Sequence, residues 1–169
     1  MISIVNALGF LGLLANIAFA EPQRMSPLNV CQRINPDSLK SRCFEIIDQA
    51  ASIDEFAAGV CDRFTSSSLT IECMRTIRDQ TFSHAGLLAC DRYNNAEQTN
   101  ACLGTIAGKH LNDAALSACD RINNAQWTTV CLSAIAGKLY QPWQVERCDG
   151  FTYAPATVQC FLTSGVRQQ

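Results

Sequence analysis

CDRYNNAEQTNACLGTIAGK, residues 90–109, returns 29 residues later as CDRINNAQWTTVCLSAIAGK, residues 119–138. Counted from the first cysteine, the two copies agree at 13 of 29 positions, a duplication written in the chain. The frame extends in both directions. Ten cysteines fall in five pairs, Cys31 and Cys43, Cys61 and Cys73, Cys90 and Cys102, Cys119 and Cys131, and Cys148 and Cys160. Each pair brackets eleven residues, with first members 30, 29, 29 and 29 residues apart. A fixed period in this range marks a repeat array, in which no unit buries its apolar face alone and each stacks on its neighbours.

The second cysteine of a unit recurs with apolar neighbours at helical spacing: Leu39, Cys43, Ile47; Leu69, Cys73, Ile77; Trp127, Cys131, Ile135. An i, i+4, i+8 stripe is one face of an α-helix, and Trp127, in a column that is Leu in units one and two, is expected in the core. A further apolar residue follows each second cysteine, Phe44, Met74, Leu103, Leu132 and Phe161, so this helix is expected to be buried on two sides. The first cysteine ends a shorter helix, with starts at Ser26-Pro27, Asp54, Ser83, Asn112 or Asp113, and Gln141-Pro142. Ser, Asp and Asn suit N-caps, and Pro suits the first turn. Between the helices stand Asn35, Thr65, Asn94, Asn123 and Thr152, residues that suit a turn or the cap of the next helix.

Each unit therefore reads as helix, tight turn, helix. Pairing the second cysteine of one unit with the first of the next would strand Cys31 and Cys160 at opposite ends of the array, whereas pairing within units uses all ten. The bridge then staples the two antiparallel helices, and the chain-entropy relation assigns a loop of this size about 3 kcal/mol. The fold class is all-α: a short α-solenoid of five disulfide-stapled hairpins of 29–30 residues, over about 26–49, 54–81, 83–110, 112–140 and 142–169. This design resembles the disulfide-stapled, tetratricopeptide-like αα-repeat proteins that some bacteria secrete. The resemblance is one of architecture, and no functional residue is carried over from it.

Residues 1–20 carry no charged side chain and end in the small-x-small triplet Ala18-Phe19-Ala20, which reads as a secretory signal peptide cleaved before Glu21, the alternative being an uncleaved membrane anchor. Residues 21–169 then form a single repeat domain, secreted or periplasmic, with no stable membrane insertion after cleavage. An even cysteine set behind an export signal suits an oxidising compartment. The formal net charge of −2 leaves no basic excess for nucleic acid.

Asp-Arg follows the first cysteine as Asp62-Arg63, Asp91-Arg92 and Asp120-Arg121, with Gln32-Arg33 and Asp149-Gly150 at the ends. Near a helix C-terminus the dipole favours the Arg and not the Asp, so the Asp needs a partner in the adjacent unit, and a structural ladder is expected. Ile-Ala-Gly-Lys ends the second helix in units three and four. It lies beside a strip of small residues, Gly104, Ala107, Ser133 and Ala136, flanked by Lys109 and Lys138. Close helix packing and a Gly C-cap explain that strip, and acceptance of a partner's backbone is its functional reading. Tyr140 and Trp143 lie near a connection between hairpins, where partial exposure is expected, and aromatic residues anchor interfaces.

Tyr140, Trp143, Lys109 and Lys138 are thus the candidate contact residues. His84 and His110 occupy different columns of the repeat and have no acid at motif spacing, and eleven residues between cysteines is no zinc spacing. No catalytic residue, metal or cofactor is expected. The expected function is a monomeric, non-catalytic module that binds a protein or peptide, the usual employment of such arrays. The alternatives are a secreted hydrolase or inhibitor-like effector, and a self-associating envelope structural protein.

Overall fold

The structure, a computed structural model, describes residues 23–168, so the signal-peptide reading of residues 1–20 lies outside it. Ten helices and two short strands follow one another in the described residues: α1 (Pro27–Gln32), α2 (Asp37–Asp48), α3 (Glu55–Asp62), α4 (Ser67–Ile77), α5 (His84–Asp91), α6 (Ala96–Ile106), α7 (Asp113–Asp120), α8 (Ala125–Ile135), β1 (Lys138–Leu139), α9 (Pro142–Asp149), α10 (Ala154–Ser164) and β2 (Val166–Arg167). Odd and even helices pair as hairpins. Each helix also packs on the like helix of the neighbouring units, so the first helices form one layer and the second helices another. This is the all-α array of stapled hairpins.

The short first helices begin where their polar residues supply acceptors for unpaired backbone N–H groups. Asp54 accepts from Phe56 N at 2.8 Å and Ala57 N at 2.9 Å, Ser83 from Gly86 N at 3.1 Å, and Asn112 from Ala115 N at 3.0 Å. At α9 the support is reversed, Gln144 accepting from the backbone N–H of Gln141 at 2.8 Å. Second helices are capped one residue beyond the Asn/Thr column. Ser66, Asn95 and Asn124 accept from the third residue onward, while Thr65, Asn94 and Asn123 stay in the turn with their side chains exposed.

The disulfides form within units, as the spacing predicts. Cys31 is bonded to Cys43, Cys61 to Cys73, Cys90 to Cys102, Cys119 to Cys131 and Cys148 to Cys160, with Cα–Cα separations from 5.3 to 5.6 Å, and none of the ten is free. In unit three, for example, the bridge ties Cys90 in the last turn of α5 to Cys102 in the middle of α6, and both residues are fully buried. Beside the bridges lie Met74, Ile77, Leu103, Ile106, Leu132, Ile135 and Phe161, all fully buried, so the residue after the second cysteine and the isoleucine four beyond that cysteine build the seam between layers. A buried threonine column, Thr70, Thr99, Thr128 and Thr157, runs along the same helices. Each hydroxyl is spent on a backbone carbonyl of the preceding turn, as Thr99 on Asn95 O at 3.0 Å and Thr128 on Ile122 O at 2.8 Å, so none of these hydroxyls is buried without a partner.

In units two to five the open end of the hairpin is closed by the backbone. After α6 the chain turns through Ala107 (φ −53, ψ 123) and Gly108 (φ 61), with Lys109 N donating to Ile106 O at 3.1 Å, a type II turn. Gly137 repeats the positive φ at 68. The N–H groups of Gly108 and Gly137 then donate to Thr81 O and His110 O, the residues that precede the first helix of the same unit, at 3.0 and 2.9 Å. The Gly of Ile-Ala-Gly-Lys is thus required by the turn. Unit two places Asp79 there at φ 59. Its carboxylate accepts from Ala51 N at 2.7 Å and Ser52 N at 3.1 Å, offsetting the cost of a left-handed residue. In unit five the closure lengthens into the antiparallel pair β1/β2, with Leu139 opposite Val166.

Candidate functional site

Four ion pairs cross the unit boundaries in register: Arg33 with Asp62, Arg63 with Asp91, Arg92 with Asp120, and Arg121 with Asp149. This is the Asp-Arg ladder. Its logic is clearest at Arg63 and Arg92, whose Nη2 atoms donate to the carbonyl oxygens of Asp91 and Asp120, the last residues of α5 and α7, while also meeting Oδ1 of the same aspartates. Each Asp therefore draws the preceding unit's cation onto its own helix C-terminus, where the unpaired carbonyls and the dipole favour positive charge. With Nη2 aligned on the carbonyl, Oδ1 is held by charge more than by hydrogen-bond geometry. The Asp91 side chain is buried, and burial pushes its pKa above the ordinary carboxylate value, outweighing the opposing attraction of Arg63. The ladder stops where the sequence stops it: Gln32 takes the Asp place in unit one and Gly150 the Arg place in unit five.

Over this ladder lies a groove of about 1030 Å³, built by α5, α7 and the turns of units two and three. Leu88 and Leu116 supply apolar surface, Arg92, Asp113 and Asp120 supply charge of both signs, and Tyr93 and Asn94 form a rim. Tyr93 is held by Thr129 of α8, whose hydroxyl donates to the phenol oxygen at 3.3 Å, and burial raises the Tyr93 pKa. Ala85 lines the groove and leaves space there. Five residues before the first cysteine, units two to five carry Phe56, Ala85, Ala114 and Trp143, so two small side chains lie between two large ones. Neither Tyr93 nor Leu88 stands out in the sequence by itself, and that column is the signal that points to them.

The four candidate contact residues meet different fates. Trp143 is 61 % exposed and Lys109 is exposed. Tyr140 is buried, against the expectation of partial exposure: its ring packs edge-on to Phe161 at 5.3 Å, and its hydroxyl lies 2.9 Å from Phe161 O and 3.2 Å from Ala134 O. That burial pushes its pKa up to about 12. The repeat contains the reason, since Tyr140 continues the column Ile53, Phe82, Leu111, eight residues before each first cysteine. Lys138 is also taken up internally. Its ammonium donates to Leu162 O at 3.0 Å and Phe161 O at 3.3 Å, carbonyls in the last turn of α10, and burial together with nearby Arg167 lowers its pKa. Trp127, expected in the core, is 37 % exposed on α8.

In the small-residue strip, Gly104 and Ser133 are exposed and Ala107 and Ala136 half-buried, and a Cβ on Gly104 would stand 3.7 Å from the Thr76 methyl of α4, an ordinary van der Waals contact. His84 packs edge-on against Phe56 at 5.0 Å, and His110 is exposed. Among the described residues no three His, Cys, Asp or Glu side chains are grouped to hold a metal, and no helix is long and apolar enough to cross a membrane. Compared with protein-family models, curated proteins and solved structures, the chain matches none.

Proposed function

We propose that this chain is a non-catalytic binding module that takes an extended peptide segment of a partner protein in the groove over α5 and α7. The observation that carries the reading is the groove itself, about 1030 Å³, with apolar surface, both signs of charge and an aromatic rim. Such a lining suits a backbone with mixed side chains better than a single small metabolite, which usually occupies a more enclosed and more apolar site. The ladder beneath it holds α5 and α7 at a fixed spacing, so the groove is preorganised and less ordering entropy is lost on binding. Secretion or export to the periplasm is part of the proposal. It rests on the leader-like residues 1–20 and on ten cysteines all in disulfides, a state that suits an oxidising compartment.

The test is selection of peptides from a random library on the oxidised chain, followed by calorimetric titration of the best sequences. Tyr93→Ala and Leu88→Asp should each weaken binding at least tenfold, with Trp143→Ala close to neutral. Peptides that bind equally well to both groove variants would remove the groove from the function.

A further inference from the structure

Nine of the ten cysteines have no accessible surface, Cys148 included, whereas Cys160 is only partly buried. Two features of the chain open it. In units one to four the residue four beyond the second cysteine is an isoleucine, Ile47, Ile77, Ile106 or Ile135, and unit five has Ser164 in that column. In addition α10 is the last helix among the described residues, so its outer side has no following second helix packed on it. The result is a cleft of about 390 Å³ lined by Arg147, Phe151, Cys160 and Ser164 among others. The Ser164 hydroxyl stands 3.8 Å from the Sγ atoms of both Cys148 and Cys160.

We propose that Cys148–Cys160 is a thiol–disulfide exchange site for an anionic low-molecular-weight thiol. The thiolate of that molecule attacks Sγ of Cys160, the cysteine that lines the cleft. A new S–S bond forms there, the Cys160–Cys148 bond breaks, and its electron pair leaves on Cys148 as a thiolate, which takes a proton from solvent. Ser164 is placed to donate a hydrogen bond to the departing sulfur, and Arg147 at the cleft wall favours approach of a negatively charged thiol. Cys148 lies in the last turn of α9, where the dipole disfavours a thiolate, so the bridge recloses readily and the adduct is reversible. The other four bridges are closed to this attack because neither sulfur is accessible.

The experiment exposes the oxidised chain to reduced glutathione, quenches with acid, alkylates free thiols under denaturing conditions and maps the peptides by mass spectrometry. Glutathione should appear on Cys160 and the alkyl group on Cys148, at least tenfold faster than any other bridge opens. Ser164→Ile, which restores the repeat residue, should slow the reaction at least fivefold without lowering the melting temperature. Cysteamine, a cationic thiol, should react several-fold more slowly than glutathione at equal thiolate concentration, and Arg147→Gln should narrow that difference. An adduct on Cys148, an interior bridge opening at the same rate, or a Ser164→Ile variant as fast as the parent would each overturn the assignment. Equal rates for the two thiols would overturn the preference for an anionic one.

Discussion

Replacing Arg63 by Gln removes the cation that meets Asp91 but leaves the carboxylate where burial placed it. The Asp91 side chain is 5 % exposed and the Arg63 side chain 50 % exposed, so the loss falls on the aspartate. Breaking a fully buried pair from one side costs about 3–5 kcal/mol. With one partner half in solvent, roughly 2 kcal/mol is expected, including the hydrogen bond to Asp91 O. At about 2–4 °C per kcal/mol for a chain of this size, the melting temperature should fall by about 4–8 °C. Asp91→Asn removes the buried charge and keeps an acceptor, so it should cost under about 1 kcal/mol, and the double variant should cost less than Arg63→Gln alone. Arg92→Gln is an internal comparison, because Asp120 is 38 % exposed and its pair belongs to the surface class worth about 0–1 kcal/mol.

The pH dependence follows from the raised pKa of Asp91: the folded chain holds that proton to higher pH than the unfolded chain does. Its contribution to stability is therefore largest in acid and falls as pH rises through the folded-state value. Arg63→Gln removes the opposing attraction and raises that value further. Its penalty should be full at neutral pH and shrink on acidification to about pH 4. Thermal and urea denaturation with the disulfides intact, at both pH values, measures this. Arg63→Gln and Asp91→Asn costing the same, or an Arg63→Gln penalty that does not shrink in acid, would refute the reasoning.

Gly108→Ala forces a side chain into φ 61 and should cost about 1–2 kcal/mol, seen as a lower urea midpoint. Asp79→Ala should lose more than Asp79→Gly, because it keeps the strain and discards the bonds to Ala51 and Ser52. Gly165→Ala sets a Cβ 2.5 Å from Tyr140 Cζ and should lower the melting temperature, an effect that Tyr140→Leu in the same chain relieves. Tyr140 has a raised pKa, so its contribution is intact below the ordinary tyrosine value and is lost as pH climbs toward about 12. Alkaline unfolding followed by phenolate absorbance should show that limb, and Tyr140→Phe should flatten it.

The fold is legible in the chain because the repeat averages out local ambiguity. A single Asp-Arg pair says little, but three of them at a 29-residue period, with Gln32 and Gly150 at the ends, spell a ladder and its termination. The disulfide pairing is legible on the same ground, since only pairing within units uses both Cys31 and Cys160. First-helix caps follow too, because Asp54, Ser83 and Asn112 share one column and one role. The second-helix caps are displaced by one residue, because adjacent Asn residues such as Asn94 and Asn95 both suit a cap and only backbone geometry separates them. Residue type alone puts Tyr140 and Lys138 on the surface, whereas their contacts come from Phe161 and Leu162, more than twenty residues away. Asp79 hides the turn of unit two, since its left-handed backbone is sustained by bonds to residues before α3 that no local pattern announces. The groove is the least legible feature, being an absence of side-chain volume at Ala85, in a column where only Phe56 and Trp143 are large.

The most direct test of the groove as the working surface is a backbone amide NMR titration of the oxidised, isotope-labelled chain with a library-selected peptide. Shifts concentrated at residues 88–96 and 113–120, saturating at one peptide per chain, are the predicted result. Shifts confined to Leu139, Trp143 and Val166, the exposed apolar residues at the connector of unit five, would contradict the account and move the binding surface to the end of the array.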